Sequence, residues 1–229
     1  MKIKTIAKVT YFSAAFFTIL WSTIEDKQWM LYSKALVLPS IVFYYLIRTQ
    51  FKIDFLKGAI FLFSYLGALY PLLFPDKDET VYILCYLFSN VLLLGYLLPN
   101  FIKWYSKYSY SLILIVFTSV LLTILAYFIL TLQFEKMHIP IFYLVVYAII
   151  LSFLVFIAVV EYNRKSNRCN SNLLLLAILY LLSDCFYMFN KFYVPFSIFN
   201  FINVSTQVFS YYFLVHFFIL NQKEASKLN

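Results

Sequence analysis

Eight long apolar stretches, separated by short segments that carry charges and prolines, dominate the sequence. They cover approximately residues 8–24, 29–47, 55–74, 80–101, 109–132, 139–160, 172–190 and 194–220. Crossing the hydrocarbon core of a bilayer takes roughly 20 apolar residues in a helix, and backbone polar groups in lipid must be satisfied within the segment itself. The pattern therefore predicts an all-α, polytopic membrane bundle of about eight transmembrane helices, which forms a single domain over residues 1–229.

The composition excludes a soluble domain of this length. Of the 229 residues only 12% are charged and 64% are hydrophobic, whereas globular domains carry about 25% charged residues. A net charge of +8 is an orientation signal in a membrane protein, so we expect no nucleic-acid partner. The N-terminus resembles a signal peptide but lacks a clear cleavage site, and we expect residues 8–24 to be retained as the first helix.

The loops between the apolar stretches alternate in charge. Thirteen of the eighteen basic residues fall on the side of the N-terminus: Lys2, Lys4, Lys8, Arg48, Lys52, Lys57, Lys103, Lys107, Arg164, Lys165, Arg168, Lys223 and Lys227. Four basic residues and most of the acidic ones fall on the other side, and a miscounted span would scramble this alternation. Because cytoplasmic loops carry an excess of Lys and Arg, we expect both termini in the cytoplasm and a multi-pass location in a bacterial inner (plasma) membrane.

Cysteines and histidines are too few and too scattered to hold a metal or a cofactor. Cys85 and Cys185 lie within spans and Cys169 lies in a basic loop, which argues against a disulfide framework. The two histidines, His138 and His216, are predicted near opposite sides of the membrane. We therefore expect no metal site and no cofactor.

Ionisable residues inside the membrane are expensive and are candidates for function. Asp184 is predicted about 10 Å and Lys34 about 7 Å below the outer surface, at a rise of 1.5 Å per residue, so an ion pair between them is sterically possible. Alternatively, Lys34 reaches the interface with its long stem and Asp184 only fixes helix packing. His216, near the inner end of the last span, is a weaker candidate.

Polar residues recur at helical spacing in three of the spans and predict a polar cavity in the outer half of the bundle. Amide side chains also serve as contacts between membrane helices, which is the alternative explanation. The stripes consist of Asn200, Asn203, Gln207 and Tyr211 in the last span, Tyr82, Tyr86, Ser89 and Asn90 in the fourth, and Asp184, Tyr187 and Lys191 in the seventh.

Several short motifs resemble those of the YhhN family, the lysoplasmalogenase-like membrane proteins. They are LLSDCFYMFNKF at 181–192 with VPFSIFNFINVSTQVFSYYFLVHFFI at 194–219, YSKALVLPSIVFYYL at 32–46, and LFSYLGALYPLLF at 62–74 followed by YLFSNVLLLGYLL at 86–98. The resemblance implies cleavage of the vinyl-ether bond of lysoplasmalogen, by a pair of acids of which Asp184 matches one. The chain departs from the family where Ala68 replaces the second acid and Asn90 replaces a histidine.

Three functions remain open. In the first, the chain is a hydrolase of lysoplasmalogen or a related lysolipid, with Asp184 and Lys34 catalytic, and a lysophospholipid-like membrane lipid is its partner. The head group would be bound by Asn90, Asn190, Lys191, Asn203 and Gln207. In the second, favoured by Ala68, the scaffold is a non-catalytic lipid-binding or interaction protein, since an Asp184 beside Lys34 would be ionised and could not donate a proton. The third, a small secondary transporter, has little support from only three glycines.

Overall fold

The chain forms a bundle of long helices, and the described residues contain no β-strand. A computed structural model describes residues 2–75, 80–105, 127 and 141–225. Within these ranges the helices are α1 (Lys2–Ile24), α2 (Lys27–Arg48), α3 (Phe55–Leu73), α4 (Thr80–Tyr105), α5 (Ile141–Arg164), α6 (Arg168–Met188), a π-helical turn (Phe189–Tyr193) and α7 (Ser197–Ala225).

Each predicted apolar stretch in the described residues overlaps one of these helices along most of its length. The prediction of a helical membrane bundle is therefore confirmed. The stretch at 109–132 lies outside the described residues, apart from Tyr127. Six of the helices, α1 to α6, are long and apolar enough to cross a bilayer, and the chain is a multi-pass membrane protein. The exception, α7, is interrupted by polar residues along its length.

The helices pack in a ring that α7 closes. Neighbours in the described chain contact each other from α1 to α7, and α7 also packs against α1 and α2. Large side chains of α7 are fully enclosed, among them Tyr211, Leu214 and Phe218. The hydroxyl of Tyr11 donates to the carbonyl oxygen of Val208 at 2.7 Å, which fixes α1 against α7. α7 therefore supplies much of the core.

The cross-helix contacts give the direction of each helix. α1 and α7 are antiparallel, because the Asn200 side chain donates to the carbonyl oxygen of Ser22 while Lys8 lies over the ring of Tyr212. We call the end where α1 begins and α7 finishes the terminal end, and the other the opposite end.

α4 and α5 run parallel to each other. Asn90 bonds to Tyr147, and eleven residues further along α4 the ring of Phe101 packs against Phe156 of α5.

α4 is also parallel to α7, because Tyr86 bonds to Gln207 and Tyr96 bonds to Asn221 further along both helices. Both α4 and α5 therefore run from the opposite end of the bundle to the terminal end. The next described helix, α5, thus begins at the opposite end, where α4 also begins, although α4 finishes at the terminal end.

Charged residues in the described ranges sort by end as the loop pattern predicts. The terminal end carries Lys4, Lys8, Arg48, Lys52, Asp54, Lys57, Glu161, Arg164, Lys165, Arg168, Lys223 and Glu224, and the opposite end carries Glu25, Asp26, Lys27 and Lys191. Three ion pairs lie at the terminal end, joining Lys57 to Asp54, Arg164 to Glu161 and Lys165 to Glu224. The basic excess is therefore concentrated at one end.

A proline inside α2 creates a hydrogen-bonding vacancy that α3 fills. Pro39 has no N–H, so the carbonyl oxygen of Ala35, four residues earlier, lacks its usual helical donor. The hydroxyl of Tyr65 on α3 donates to this oxygen at 3.2 Å. In apolar surroundings an unpaired carbonyl costs free energy comparable to a lost hydrogen bond, so the tyrosine stabilises both α2 and its contact with α3.

Because Tyr65 compensates for the missing N–H of Pro39, substitutions at the two positions should have non-additive effects on the free energy of unfolding. We expect Tyr65→Phe to destabilise the protein by about 1–2 kcal/mol, because the Ala35 carbonyl loses the donor that replaces the missing N–H of Pro39. In a Pro39→Ala background, where the backbone N–H is restored, the same substitution should cost much less. Thermal unfolding of the four proteins in detergent measures this coupling. Equal effects of Tyr65→Phe in the two backgrounds would contradict it.

Candidate functional site

Asp184 lies near the end of α6 and is hydrogen-bonded to a tyrosine of the neighbouring helix. The helix periodicity places Tyr180 and Asp184 on one face, and the side chain of Asp184 turns towards α5. There the hydroxyl of Tyr147 donates to Oδ2 of Asp184 at 2.6 Å, a length typical of a short bond to a carboxylate. The half-buried carboxyl group is thus held by a phenol, and no cation among the described residues forms an ion pair with it.

Asn90 of α4 joins the same arrangement. Its side-chain nitrogen, Nδ2, donates to the Tyr147 hydroxyl oxygen at 3.4 Å, which is a long bond. Asn90 is only 2% exposed, so its amide has little access to other partners. Three helices therefore contribute to one chain of polar groups that runs from Asn90 through Tyr147 to Asp184.

A second chain of polar groups joins α7 to α4. Nε2 of Gln207 donates to the Tyr86 hydroxyl at 2.7 Å, and the hydroxyls of Tyr86 and Tyr211 are 3.1 Å apart. Gln207 and Tyr211 are one helical turn apart on α7, so their polar atoms reach the same tyrosine. All three side chains are buried.

Further tyrosines and small polar residues connect the two chains. The side chains of Tyr180 and Tyr211 lie close enough to Asp184 to interact with it electrostatically. Nearby, the hydroxyls of Ser64 and Ser89 bond to each other at 2.8 Å, and the Ser183 hydroxyl donates to Oδ1 of Asn203 at 3.0 Å. We use the name tyrosine cluster for five neighbouring tyrosines, of which Tyr147, Tyr180 and Tyr211 lie near the carboxyl group of Asp184. The five are Tyr82, Tyr86, Tyr147, Tyr180 and Tyr211.

Lys34 does not pair with Asp184. Its side chain is buried at 8% exposure, but no ion pair joins it to Asp184, and it has no hydrogen-bond partner among the residues that the structure describes. The reason lies in the helix order, since α2 packs against α1, α3 and α7 whereas Asp184 is turned towards α5. The similar predicted depths of Lys34 and Asp184 allowed an ion pair, but the two residues lie on helices that face different neighbours, and the pair is absent.

The remaining predicted site residues divide between the cluster and its periphery. Asn90 and Gln207 bond to members of the tyrosine cluster, and Asn203 contacts the residue next to Asp184. Asn190 and Lys191 lie in the π-helical turn that follows α6 at the opposite end. His216 lies near the terminal end against the rings of Tyr44 and Tyr212, far along α7 from Gln207.

Sequence reasoning missed Tyr147 and Tyr180. In the stretch around Tyr147, IFYLVVYAII, the other polar side chain at helical spacing is Tyr143, and two tyrosines alone do not mark a stripe. A tyrosine hydroxyl buried in an apolar helix normally finds a partner, and this expectation is the signal that could have singled the residue out. In the described ranges, no group of three His, Cys, Asp or Glu residues could hold a metal ion.

Comparison with known proteins gives no relative, since no family model, no curated protein and no solved structure matches the chain.

The hydrogen bonds of Tyr86 make its neighbour Gly67 sensitive to substitution. A Cβ atom on Gly67 would lie 2.8 Å from Cε2 and 2.9 Å from Cδ2 of the Tyr86 ring, which is closer than real Cβ contacts. The ring is buried, and its hydroxyl is bonded to both Gln207 and Tyr211, so it cannot move aside without loss. α3 and α4 therefore approach closely at Gly67.

We expect Gly67→Ala to destabilise the protein by about 1–3 kcal/mol through overpacking. Gly95→Ala is the matched control, because Gly95 also precedes a helix proline by four residues but has no heavy atom within 4 Å of the added Cβ. The control should be neutral or gain up to about 1 kcal/mol from the helix propensity of alanine. Thermal unfolding in detergent compares the two, and similar values would contradict the close approach.

Proposed function

We propose that the chain is a membrane hydrolase of the lysoplasmalogenase type, with Asp184 as the group that protonates the vinyl ether. The observation that carries this proposal is the surroundings of Asp184. The carboxyl group is half-buried between helices, its hydrogen-bond partner is a phenol, and no cation forms an ion pair with it among the described residues. The motifs of the YhhN family around Asp184 and Lys34 support the same assignment.

Among the described residues no cation pairs with Asp184, and this matters because the reaction needs Asp184 in its protonated form. The sequence raised the objection that Lys34 would hold Asp184 as a carboxylate, which cannot donate a proton. In the structure no ion pair joins Lys34 to Asp184, and α2 packs against α1, α3 and α7. No adjacent positive charge in the described part of the chain therefore opposes the protonation of Asp184.

A single carboxyl group can perform both halves of this hydrolysis. Asp184 gives its proton to the vinyl carbon that does not bear oxygen, and the other carbon becomes an oxocarbenium ion. Water adds to that carbon and returns a proton to the carboxylate, which forms a hemiacetal and restores the acid. The hemiacetal then breaks at the bond to the glycerol oxygen, which takes up the hydroxyl proton, and fatty aldehyde and glycerophospho-head group leave.

The lipid is proposed to be a lysophospholipid-like molecule with one chain, which enters from the apolar surface between helices. The amide groups of Asn203 and Gln207 on α7 are proposed to bind the head group. Asn190 and Lys191 lie nearer the opposite end, where a charged head group would meet water. Lys34, at a similar depth in α2, is proposed to interact with the lipid phosphate and not with Asp184.

We expect the purified protein to release fatty aldehyde from a lysoplasmalogen in detergent, and Asp184→Asn to reduce the rate at least 100-fold, because an amide cannot donate this proton. Asp26→Asn is the matched control. It makes the same chemical change at the N-cap of α2, where asparagine serves as well as aspartate, and full activity is expected. A fully active Asp184→Asn protein would exclude the proposal.

A second function, a non-catalytic lipid-binding protein on the same scaffold, is favoured by one observation. Ala68 is buried at 3% exposure, and the described part of the cluster holds no carboxyl group besides Asp184. An inactive parent protein that gains aldehyde release on Ala68→Asp would identify an active site that has lost its second acid. An inactive parent that still binds lysolipid, with no gain in the variant, would support the binding function.

We also propose eight crossings with both termini in the cytoplasm of a bacterial inner membrane. The parallel arrangement of α4 and α5 supports it, since the chain that leaves α4 at the terminal end must enter α5 at the opposite end. One more crossing between them satisfies this requirement. The basic excess at the terminal end supports a cytoplasmic position for that end.

Two cysteine variants test the additional crossing, in a background in which the three native cysteines are replaced by serine. Lys136→Cys should react with a membrane-impermeant maleimide in intact cells or spheroplasts, and Lys107→Cys only after lysis. Lys27→Cys and Lys165→Cys, at the opposite and terminal ends respectively, calibrate the two sides. Labelling of positions 107 and 136 from the same side would exclude eight crossings.

A further inference from the structure

The carboxyl group of Asp184 has one oxygen that is held and one that is not. Oδ2 accepts the short hydrogen bond from Tyr147. Oδ1 has no hydrogen-bond partner among the described residues. It is not fully enclosed by the protein, so it keeps accessible surface. The two oxygens of the same group are in chemically different positions.

The contact from Asn90 fixes the direction of the phenol O–H. Nδ2 of Asn90 can only donate, and it donates to the oxygen of Tyr147. The single hydroxyl hydrogen of Tyr147 is therefore directed to Asp184, which can accept it. Asn90 thus acts on the carboxyl group only through the tyrosine.

The ring of Tyr147 is itself held by its neighbours. It packs against the buried group formed by Tyr82, Ile83, Tyr86 and Leu144. Tyr82 and Tyr86 contact each other edge to face at 5.1 Å between ring centroids, and Tyr86 is bonded to Gln207. The phenol therefore has a fixed position from which to hold the carboxyl group.

We infer that Tyr147 is the positioning residue of Asp184, which holds Oδ2 so that Oδ1 is the oxygen that transfers the proton. Asn90 orients the phenol. The inference rests on the proposed function for its consequence in catalysis. Its structural content, that Tyr147 and Asn90 act in series on Asp184, does not require the protein to be an enzyme.

The kinetic test uses aldehyde release by Tyr147→Phe, Asn90→Ala and the double variant. Tyr147→Phe should lower kcat by about 10–100-fold and leave KM within about twofold, because the substrate still binds but the acid is misplaced. Asn90→Ala should lower kcat less. The double variant should match Tyr147→Phe alone, since without the hydroxyl Asn90 has nothing to orient. Tyr143→Phe, one turn away on α5, is the matched control and should be unchanged.

A second measurement does not depend on activity. Dicyclohexylcarbodiimide, an apolar reagent for carboxyl groups, is added to the full-length protein in detergent, and its attachment to Asp184 is followed by mass spectrometry. Loss of the bond to Oδ2 should increase the labelling rate of Asp184 about tenfold in Tyr147→Phe, since this hydrogen bond favours the carboxylate whereas the reagent reacts with the protonated carboxyl group. Asn90→Ala should increase the rate less, and the double variant should equal Tyr147→Phe.

The outcomes separate the inference from the proposed function. An inactive parent whose labelling follows the serial pattern would overturn the hydrolase and retain the positioning role. Unchanged labelling in Tyr147→Phe, or additive effects of the two substitutions, would overturn the positioning role whether or not the protein is active. A change in KM alone would show that Tyr147 contacts the substrate, which also overturns it. If Tyr147→Phe does not yield monodisperse protein, unchanged labelling in Asn90→Ala alone would overturn the inference.

Discussion

Hydrogen bonds between helices satisfy the main buried polar side chains of the candidate site. A hydroxyl, amide or carboxyl group that lacks one is costly in apolar surroundings, and here the partners come from different helices. Gln207 of α7 reaches Tyr86 of α4, Tyr147 of α5 reaches Asp184 of α6, and Ser64 of α3 reaches Ser89 of α4. The same bonds that satisfy these groups fix how the helices meet, and the arrangement of the candidate site follows from them.

The helices and their ends could be predicted from the sequence because hydropathy and charge are properties of single segments. Apolar stretches gave the helices to within a few residues, and the alternation of basic loops agrees with the charges at the two ends of the described bundle. The polar stripes on α4 and α7 were recognisable because Tyr82, Tyr86, Gln207 and Tyr211 recur at helical spacing. Such signals need no knowledge of which helix lies beside which.

The pairing of side chains across helices could not be predicted in the same way. The predicted depth in the membrane made Lys34 a possible partner of Asp184. Depth does not determine which helices are neighbours, and α2 and α6 face different ones. Tyr147 gave no signal because its own helix shows no polar stripe, and its importance comes entirely from the carboxyl group of another helix. The parallel pairing of α4 and α5 was also outside the reach of the sequence pattern, which describes segments in order and not in space.

The central position of α7 has a consequence for biogenesis. The helix emerges from the ribosome after the six others described here, yet α1 bonds to it through Tyr11, and the partners of Ser183 and Tyr86 are on it. Until it inserts, these groups face lipid or one another, and the first helix has no neighbour on that side. The membrane-embedded intermediate is therefore an open arc of helices with unsatisfied polar groups along its inner surface.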